Sequence, residues 1–382
     1  MKKKLVIFLF LLSLFIIPVK AEGTLAENAK SAILIEASTG TILFEKNKNE
    51  KFAPASMTKM MSLLLIMENI DNGNLKMDEV IRVSKNAASM GGSQIYLEEN
   101  EEMTVEDLLK GITIGSANDA TVALAERIGG SEDAFVEMMN EKVKELGLKN
   151  TNFKNSTGLD EANHYSSAYD MSLIAKELVK HNKILEFSSI YETYLRADTD
   201  SKFWLVNTNK LVRFYNGVDG LKTGYTEEAG YCLTATINKD NMRVIAVVMG
   251  EPTSTTRNKE VSALLDYGYN LYQKHVYITK EEIIDTVKVD KGKVENANII
   301  VIEDAVGINK KGYKLGEISY DLKIDNLKAP VNKGDKVGIL IIKEDGKSIK
   351  EVDVTVEESI EKANFFNLYL RYLSDIIRGN YK

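Results

Sequence analysis

Ser56 and Lys59 stand three residues apart in Pro54-Ala55-Ser56-Met57-Thr58-Lys59-Met60-Met61-Ser62. Pro54 disfavours a helical conformation in the residue before it. After Ser56, the apolar residues Met57, Met60, Met61, Leu64, Leu65 and Met67 recur at helical spacing. A buried helix is expected to start at or near Ser56 and to run to about Ile70. At such an end, free backbone N–H groups and the positive end of the helix dipole stabilise negative charge. Residues three apart share a helix face, so a hydroxyl and an amine stand side by side. That pairing suits a serine nucleophile activated by a lysine base. It suits a plain helix cap equally well, because serine is a preferred N-cap. A second Ser-x-x-Lys, Ser359 to Lys362, reads as a chance match on a polar surface.

Two further polar sets lie downstream. Gly115-Ser116-Ala117-Asn118-Asp119-Ala120 makes a tight turn between two helical patterns, 104–114 and Ala120 to Ile128. Thr104 is a candidate N-cap for the first. Serine and asparagine do ordinary turn work, and Ser84-Lys85-Asn86 has the same letters in that bland role. Ser116, however, ends a buried apolar stretch, which would hold its hydroxyl beside the core. The third set is Lys222-Thr223-Gly224, expected on or entering a strand, where glycine lets a ligand approach the backbone closely. His164, in the polar loop between about 155 and 170, reads as a structural histidine rather than a base, because a lone loop imidazole commonly satisfies backbone groups.

These residues need elements to hold them. Residues 31–36 and 41–44 flank Ala37-Ser38-Thr39-Gly40 as a hairpin, and Gly230 to Ile237 with Met242 to Met249 form another. Helices are expected at about 132–146, 169–182 and 256–273. From about 280 the period changes to short apolar runs separated by turns, a small β-rich domain with no catalytic pattern. The tail, 360–378, puts Phe366, Tyr369, Leu370, Leu373, Ile376 and Ile377 on one helical face, with Lys362, Arg371, Arg378 and Lys382 supplying charge. It reads as an amphipathic helix on a membrane surface, with packing on the β domain as the other option.

With 382 residues, 44% hydrophobic and 27% charged, the chain is long enough for two domains. Lys2, Lys3 and Lys4 precede an apolar run from Leu5 to Ile17, and Val19-Lys20-Ala21 offers a small-residue cleavage site, the form of a secretory leader. Cleavage there removes four lysines and no acid, taking the formal charge from −7 to about −11. An acidic mature chain argues against nucleic acid as a partner. The single cysteine, Cys232, excludes an intrachain disulfide, and the three scattered histidines offer no zinc-like spacing. No metal or cofactor is expected.

Ser-x-x-Lys, Ser-x-Asn and Lys-Thr-Gly, in that order, are the motif set of penicillin-binding proteins and serine β-lactamases. The chain resembles the D-alanyl-D-alanine carboxypeptidases, the low-molecular-mass penicillin-binding proteins. The resemblance runs over nearly all of the mature chain and includes Asn155-Ser156-Thr157-Gly158-Leu159 and Gly217-Val218-Asp219-Gly220-Leu221-Lys222-Thr223-Gly224. It implies an α/β (α+β) transpeptidase-type fold: an antiparallel sheet flanked by helices, a helical subdomain, a small C-terminal all-β domain and an amphipathic tail. The expected segments are a signal peptide at 1–21, a catalytic domain at 22–277, a β domain at 278–358 and a membrane-association helix at 359–382. The resemblance further implies that Ser56, Lys59 and Ser116 are catalytic. Asn118, Lys222, Thr223, Gly224, Tyr225 and Arg257 would then bind the substrate, a cell-wall stem peptide ending in D-Ala-D-Ala. β-Lactams would be covalent inhibitors, and the site of action would be the outer face of the cytoplasmic membrane. A serine β-lactamase and a non-catalytic penicillin-binding sensor or wall-binding module are the rival readings.

Overall fold

The computed structural model describes residues 25–377, so the expected leader at 1–21 and the tail charges Arg378 and Lys382 lie outside the described residues. The first hairpin forms as expected, from Ser31–Glu36 and Ile42–Lys46. The second pairs Gly230–Lys239 with Met242–Glu251, and its turn residues Asp240 and Asn241 adopt positive φ, which aspartate and asparagine tolerate. With Val218–Thr226 these strands make one five-stranded antiparallel sheet. Its order is Ile42–Lys46, Ser31–Glu36, Met242–Glu251, Gly230–Lys239, Val218–Thr226.

Met242–Glu251 is buried on both faces, and its side chains alternate between two cores. Ile245, Val247 and Met249 join one core with Met57, Met60 and Leu64. Val244, Ala246 and Val248 join the other with Val261, Leu264 and Leu265 of the helix Ser254–Leu271. The helix Lys59–Asp71 is buried from Lys59 through Met67, which makes it a central strut rather than a surface helix. Around it stand Asn118–Gly129, Glu132–Glu145 and Ala168–Leu178, capped in turn by the left-handed Gly130, by Ser131 and by Ser167.

Two local expectations shift, and one holds. The helix expected at 104–114 is capped by Thr104 but ends at Lys110, and Gly111–Gly115 continues as a wider π-type turn. Within that turn the Thr113 hydroxyl bonds back to the Leu109 carbonyl, and Ser116 closes it in the left-handed conformation. The pattern expected at 169–182 divides into Ala168–Leu178 and Asn182–Ser188. Ser84 is the N-cap of a short helix and accepts from the Ala87 N–H, which accounts for the look-alike triplet.

Past Leu271 the chain turns directly into a strand, Tyr272–Ile278, paired with Ala305–Lys310. A separate five-stranded antiparallel sheet follows, ordered Ile283–Lys288, Asn296–Val301, Lys347–Val356, Gly338–Glu344, Ile318–Ile324. The last helix, Phe365–Ile377, touches this unit through Arg371, which donates to the carbonyls of Gly292 and Lys293 and pairs with Glu295. Its Phe365, Phe366, Tyr369, Leu370, Ile376 and Ile377 remain exposed. Among the described residues no helix is long and apolar enough to cross a membrane.

Candidate active site

Ser56 lies in a tight 3-10 turn, Ala55–Thr58, immediately ahead of the helix that starts at Lys59. It caps nothing, so its hydroxyl is not engaged in holding the helix end. The turn is strained, because buried Ala55 has φ +47°, a region that alanine avoids at a cost of about 1–2 kcal/mol. Two glycines make room for it. A Cβ on Gly224 would lie 2.8 Å from the Pro54 carbonyl oxygen, and one on Gly158 would lie 1.9 Å from the Ala55 carbonyl oxygen. The strand and the loop thus press on the turn from two sides and fix the serine.

Lys59 is fully buried, with Nζ 3.0 Å from Ser56 Oγ, and it donates to the Thr157 carbonyl at 2.7 Å. Burial holds its amine well below the usual lysine pKa; the Lys222 charge pushes it lower, and Asp119 opposes more weakly. A neutral amine at hydrogen-bond distance can accept the serine proton. The loop that supplies Thr157 is rigid. Asn155 Oδ1 accepts from the N–H groups of Thr157 and Gly158, Ser156 bonds Glu132, and Ser62, one turn beyond Lys59, bonds the Ser156 carbonyl.

Ser116 and Asn118 come from the segment between the π-type turn and the helix Asn118–Gly129. Both are buried, and Ser116 Oγ and Asn118 Oδ1 meet no hydrogen-bond partner among the described residues. Buried unpaired oxygens are costly, by about 1–3 kcal/mol each, unless something else fills the valence. Asn118 is held from its other end, Nδ2 donating to the Gly91 carbonyl at 2.7 Å. Neighbouring Asp119, unremarked in the sequence, is buried and accepts from the N–H groups of Ile95, Leu97 and Ala120. It ties the 91–97 loop to the start of this helix. The available signal is a carboxylate at the start of a buried apolar helix, since such a group must find donors.

Lys222, Thr223 and Gly224 lie on the edge strand Val218–Thr226. Lys222 is buried and donates to its neighbour's carbonyl, Thr223 O, at 3.0 Å. Burial, with Arg257 adding to it, lowers its pKa to about 7. Thr223 Oγ1 bonds Thr208 Oγ1 at 2.8 Å. Tyr225 is exposed and lies against the Tyr231 ring, 4.3 Å between centroids. Arg257 is 5% exposed, donates through Nε and one terminal nitrogen to Asn258 Oδ1 at 2.9–3.1 Å, and forms no ion pair among the described residues. A buried guanidinium without a carboxylate is ready for an anionic group from outside.

One cleft of about 450 Å³ is lined by Ser56, Ser93, Ser116, Thr208, Lys210, Thr223, Gly224, Tyr225, Tyr231 and Arg257. The three motifs therefore meet at one place, with Lys59, Asn118 and Lys222 buried behind its wall. His164 is not among the lining residues. Its Nε2 lies 2.8 Å from Thr58 Oγ1, and Nδ1 accepts from the Lys154 N–H, so Nε2 carries the proton. Burial lowers its pKa to about 4, which leaves it a neutral prop beneath the serine turn. Glu161, in the same loop, is exposed. Ser359 accepts from the Lys333 N–H in the β-rich part, far in sequence from any motif.

A serine on a strained turn, with a buried amine base, in a cleft that also offers hydroxyls and fixed positive charge, defines a serine acyl-transfer enzyme. Comparison with known proteins gives the family. The model for D-alanyl-D-alanine carboxypeptidases matches residues 19–253, and that for the penicillin-binding protein 5 C-terminal domain matches 272–362. The chain is 52% identical over 357 residues to the D-alanyl-D-alanine carboxypeptidase DacF of Bacillus subtilis, covering 93% of this chain and 92% of the relative. It superposes on penicillin-binding protein 5 of Haemophilus influenzae with a TM-score of 0.74 at 31% identity, covering 88% of this chain and 98% of the other. Cefotaxime-bound penicillin-binding protein D2 of Listeria monocytogenes gives a TM-score of 0.58 at 31% identity, covering 63% and 97%. The chain belongs to the D-alanyl-D-alanine carboxypeptidase family. It is a serine-type peptidase with the penicillin-binding fold and a C-terminal all-β domain.

Proposed function

We propose that the enzyme removes the terminal D-alanine from peptidoglycan stem pentapeptides through an acyl-enzyme on Ser56. Ser56 Oγ attacks the carbonyl carbon between the two D-alanines while Lys59 Nζ takes its proton. The oxyanion is held by the backbone N–H groups of Ser56 and Tyr225, an arrangement that contributes about 3–4 kcal/mol in comparable sites. Ser116 relays the proton to the departing D-alanine amine, and Asn118 holds the substrate amide. Lys222, Thr223 and Arg257 bind the terminal carboxylate. Water then hydrolyses the acyl-enzyme and frees Ser56. A β-lactam follows the first half of this path and stays attached.

One observation carries the reading: a serine oxygen 3.0 Å from a buried lysine amine, opening on a cleft with an unpaired guanidinium. We further propose the division into a leader at 1–21, a catalytic domain at 22–277, a β domain at 278–358 and a tail at 359–382. The leader pattern supports export to the cell envelope, and the exposed apolar side chains of Phe365–Ile377 support attachment to a membrane surface. The test is release of D-alanine from a purified stem pentapeptide, with and without penicillin, and fluorescent-penicillin labelling of the parent and of Ser56→Ala. Label persisting on Ser56→Ala refutes the nucleophile. Rapid nitrocefin turnover favours a β-lactamase instead.

A further inference from the structure

Trp204 is the only tryptophan of the chain, and it is 56% exposed. It sits on a two-stranded hairpin, Glu192–Leu195 with Phe203–Val206, directly opposite Tyr194, which is 49% exposed. Large aromatic rings left open on a fixed element mark interaction surfaces. This element is fixed. Its inner face buries Leu195 and Leu205, and Leu205 packs so closely on Gly115 that a Cβ there would lie 2.8 Å from its methyl carbon. The Thr208 N–H bonds the Ile114 carbonyl, and Arg196 pairs with Glu101 while donating to the Ile95 carbonyl. The hairpin is thus mounted on the turn that carries Ser116.

Its outer face leads into the cleft. Side chains alternate along a strand, so Trp204 shares a face with Val206, about 7 Å further along. Val206 lines the catalytic cleft. Tyr194 and Glu192 project from the same side, as the partners of Trp204 and Val206. Trp204 and Tyr194 therefore continue the cleft outward as a ledge bordered by the exposed Glu192; the Lys202 ammonium lies 4.1 Å over the Tyr194 ring, so the Trp204 ring supplies the open aromatic surface and Tyr194 with Lys202 its rim. Flat apolar faces with polar groups at their rims match a pyranose ring, which offers C–H groups on its face and hydroxyls around its edge. An anionic polymer fits worse, because Lys202 is already engaged and Glu192 repels it.

We propose that the Tyr194–Trp204 ledge binds sugar rings of the glycan strand that carries the stem peptide. This rests on the stem-peptide reading of the cleft. The enzyme then grips polymer and peptide at once, and favours peptides attached to glycan over free ones.

Trp204 is its own reporter. Titrating the full chain with glycan strands stripped of peptide should shift its emission saturably. Trp204→Ala and Tyr194→Ala should keep the parental kcat/KM on a soluble pentapeptide and the parental penicillin labelling. On glycan-linked pentapeptide both should be slower by about tenfold. An unmoved emission spectrum with glycan overturns the proposal. So does a shift produced by free peptide or by poly(glycerol phosphate) in place of glycan, and so does an equal loss on soluble and glycan-linked substrates. If the parent releases no D-alanine from either substrate, the cleft reading fails, while the glycan titration still tests the ledge by itself.

Discussion

Replacing Gly158 by alanine tests whether packing around the serine turn sets the reaction rate. Gly158 has φ +87°, and an added Cβ would lie 1.9 Å from the Ala55 carbonyl oxygen, 2.4 Å from its carbon and 2.8 Å from Thr58 Oγ1. Relief to ordinary contact distance requires movement of about 1.5 Å. Neither neighbour is a flexible chain end. One is the backbone beside Ser56, and the other is the hydroxyl held by His164. The left-handed conformation adds about 1–2 kcal/mol and the overpacking about 1–3 kcal/mol. For a domain of this size the combined loss lowers the melting temperature by roughly 5–15 °C. A misplacement of about 1 Å can slow a positioned reaction about a hundredfold, so acylation by fluorescent penicillin, measured well below the variant's melting point, should fall by that order. Gly147→Ala is the control. Gly147 has φ +67° with nothing within 4 Å of the added carbon, so it pays the backbone term alone. It should melt a few degrees lower and acylate normally. If Gly158→Ala acylates within about twofold of the parent, or if Gly147→Ala slows acylation equally, the turn is not what controls the rate.

Two further substitutions probe the charge around the cleft. Arg257→Ala should raise KM about tenfold or more for a peptide ending in a free carboxylate, and much less for the same peptide as a C-terminal amide; equal effects on both would mean that Arg257 serves only the fold. Glu251 is 1% exposed, and burial together with the adjacent Glu260 carboxylate raises its pKa to about 8, against 4.5 for the ordinary group. The folded chain therefore keeps a proton that the unfolded chain releases. That stabilising effect is complete below about pH 4.5 and lost as pH rises through about 8. Glu251→Gln, permanently neutral, should flatten the fall in melting temperature between those limits, and parallel curves for parent and variant would count against a proton retained on Glu251.

The motifs were legible because they sit on elements with strong periodic signals. The apolar rhythm after Ser56 marks the buried helix, and the clear hairpin after Gly230 fixes the strand that bears Lys222-Thr223-Gly224. What escaped was non-local. Nothing near Ala55 in sequence announces a left-handed alanine; the conformation is imposed by the loop at Gly158 and by the strand at Gly224. The helix boundary moves to Lys59 for that reason. The role of Asp119 is hidden from local pattern because its donors come from Ile95 and Leu97, more than twenty residues earlier. The periodicity over 104–114 reads as one helix because it does not reveal that Thr113 bonds back to Leu109 and that the turn widens there. Local pattern finds the element, while contacts between distant segments decide how its ends are shaped.

The two buried lysines pose the remaining electrostatic problem. Neither forms an ion pair among the described residues, and each lowers its chance of carrying charge by burial. Two adjacent ammonium groups would be strongly unfavourable, so near neutral pH the pair holds at most one proton comfortably. Lys59 is the better candidate for the free amine. It feels both burial and the Lys222 charge, whereas Lys222, at about 7, is balanced between its two states. In the proposed mechanism an arriving carboxylate changes that balance. Its negative charge beside Arg257 draws Lys222 toward the ammonium, and the ammonium in turn keeps Lys59 unprotonated. Substrate binding and base readiness are then coupled through one proton, and an uncharged C-terminus forfeits both the anchor and the coupling.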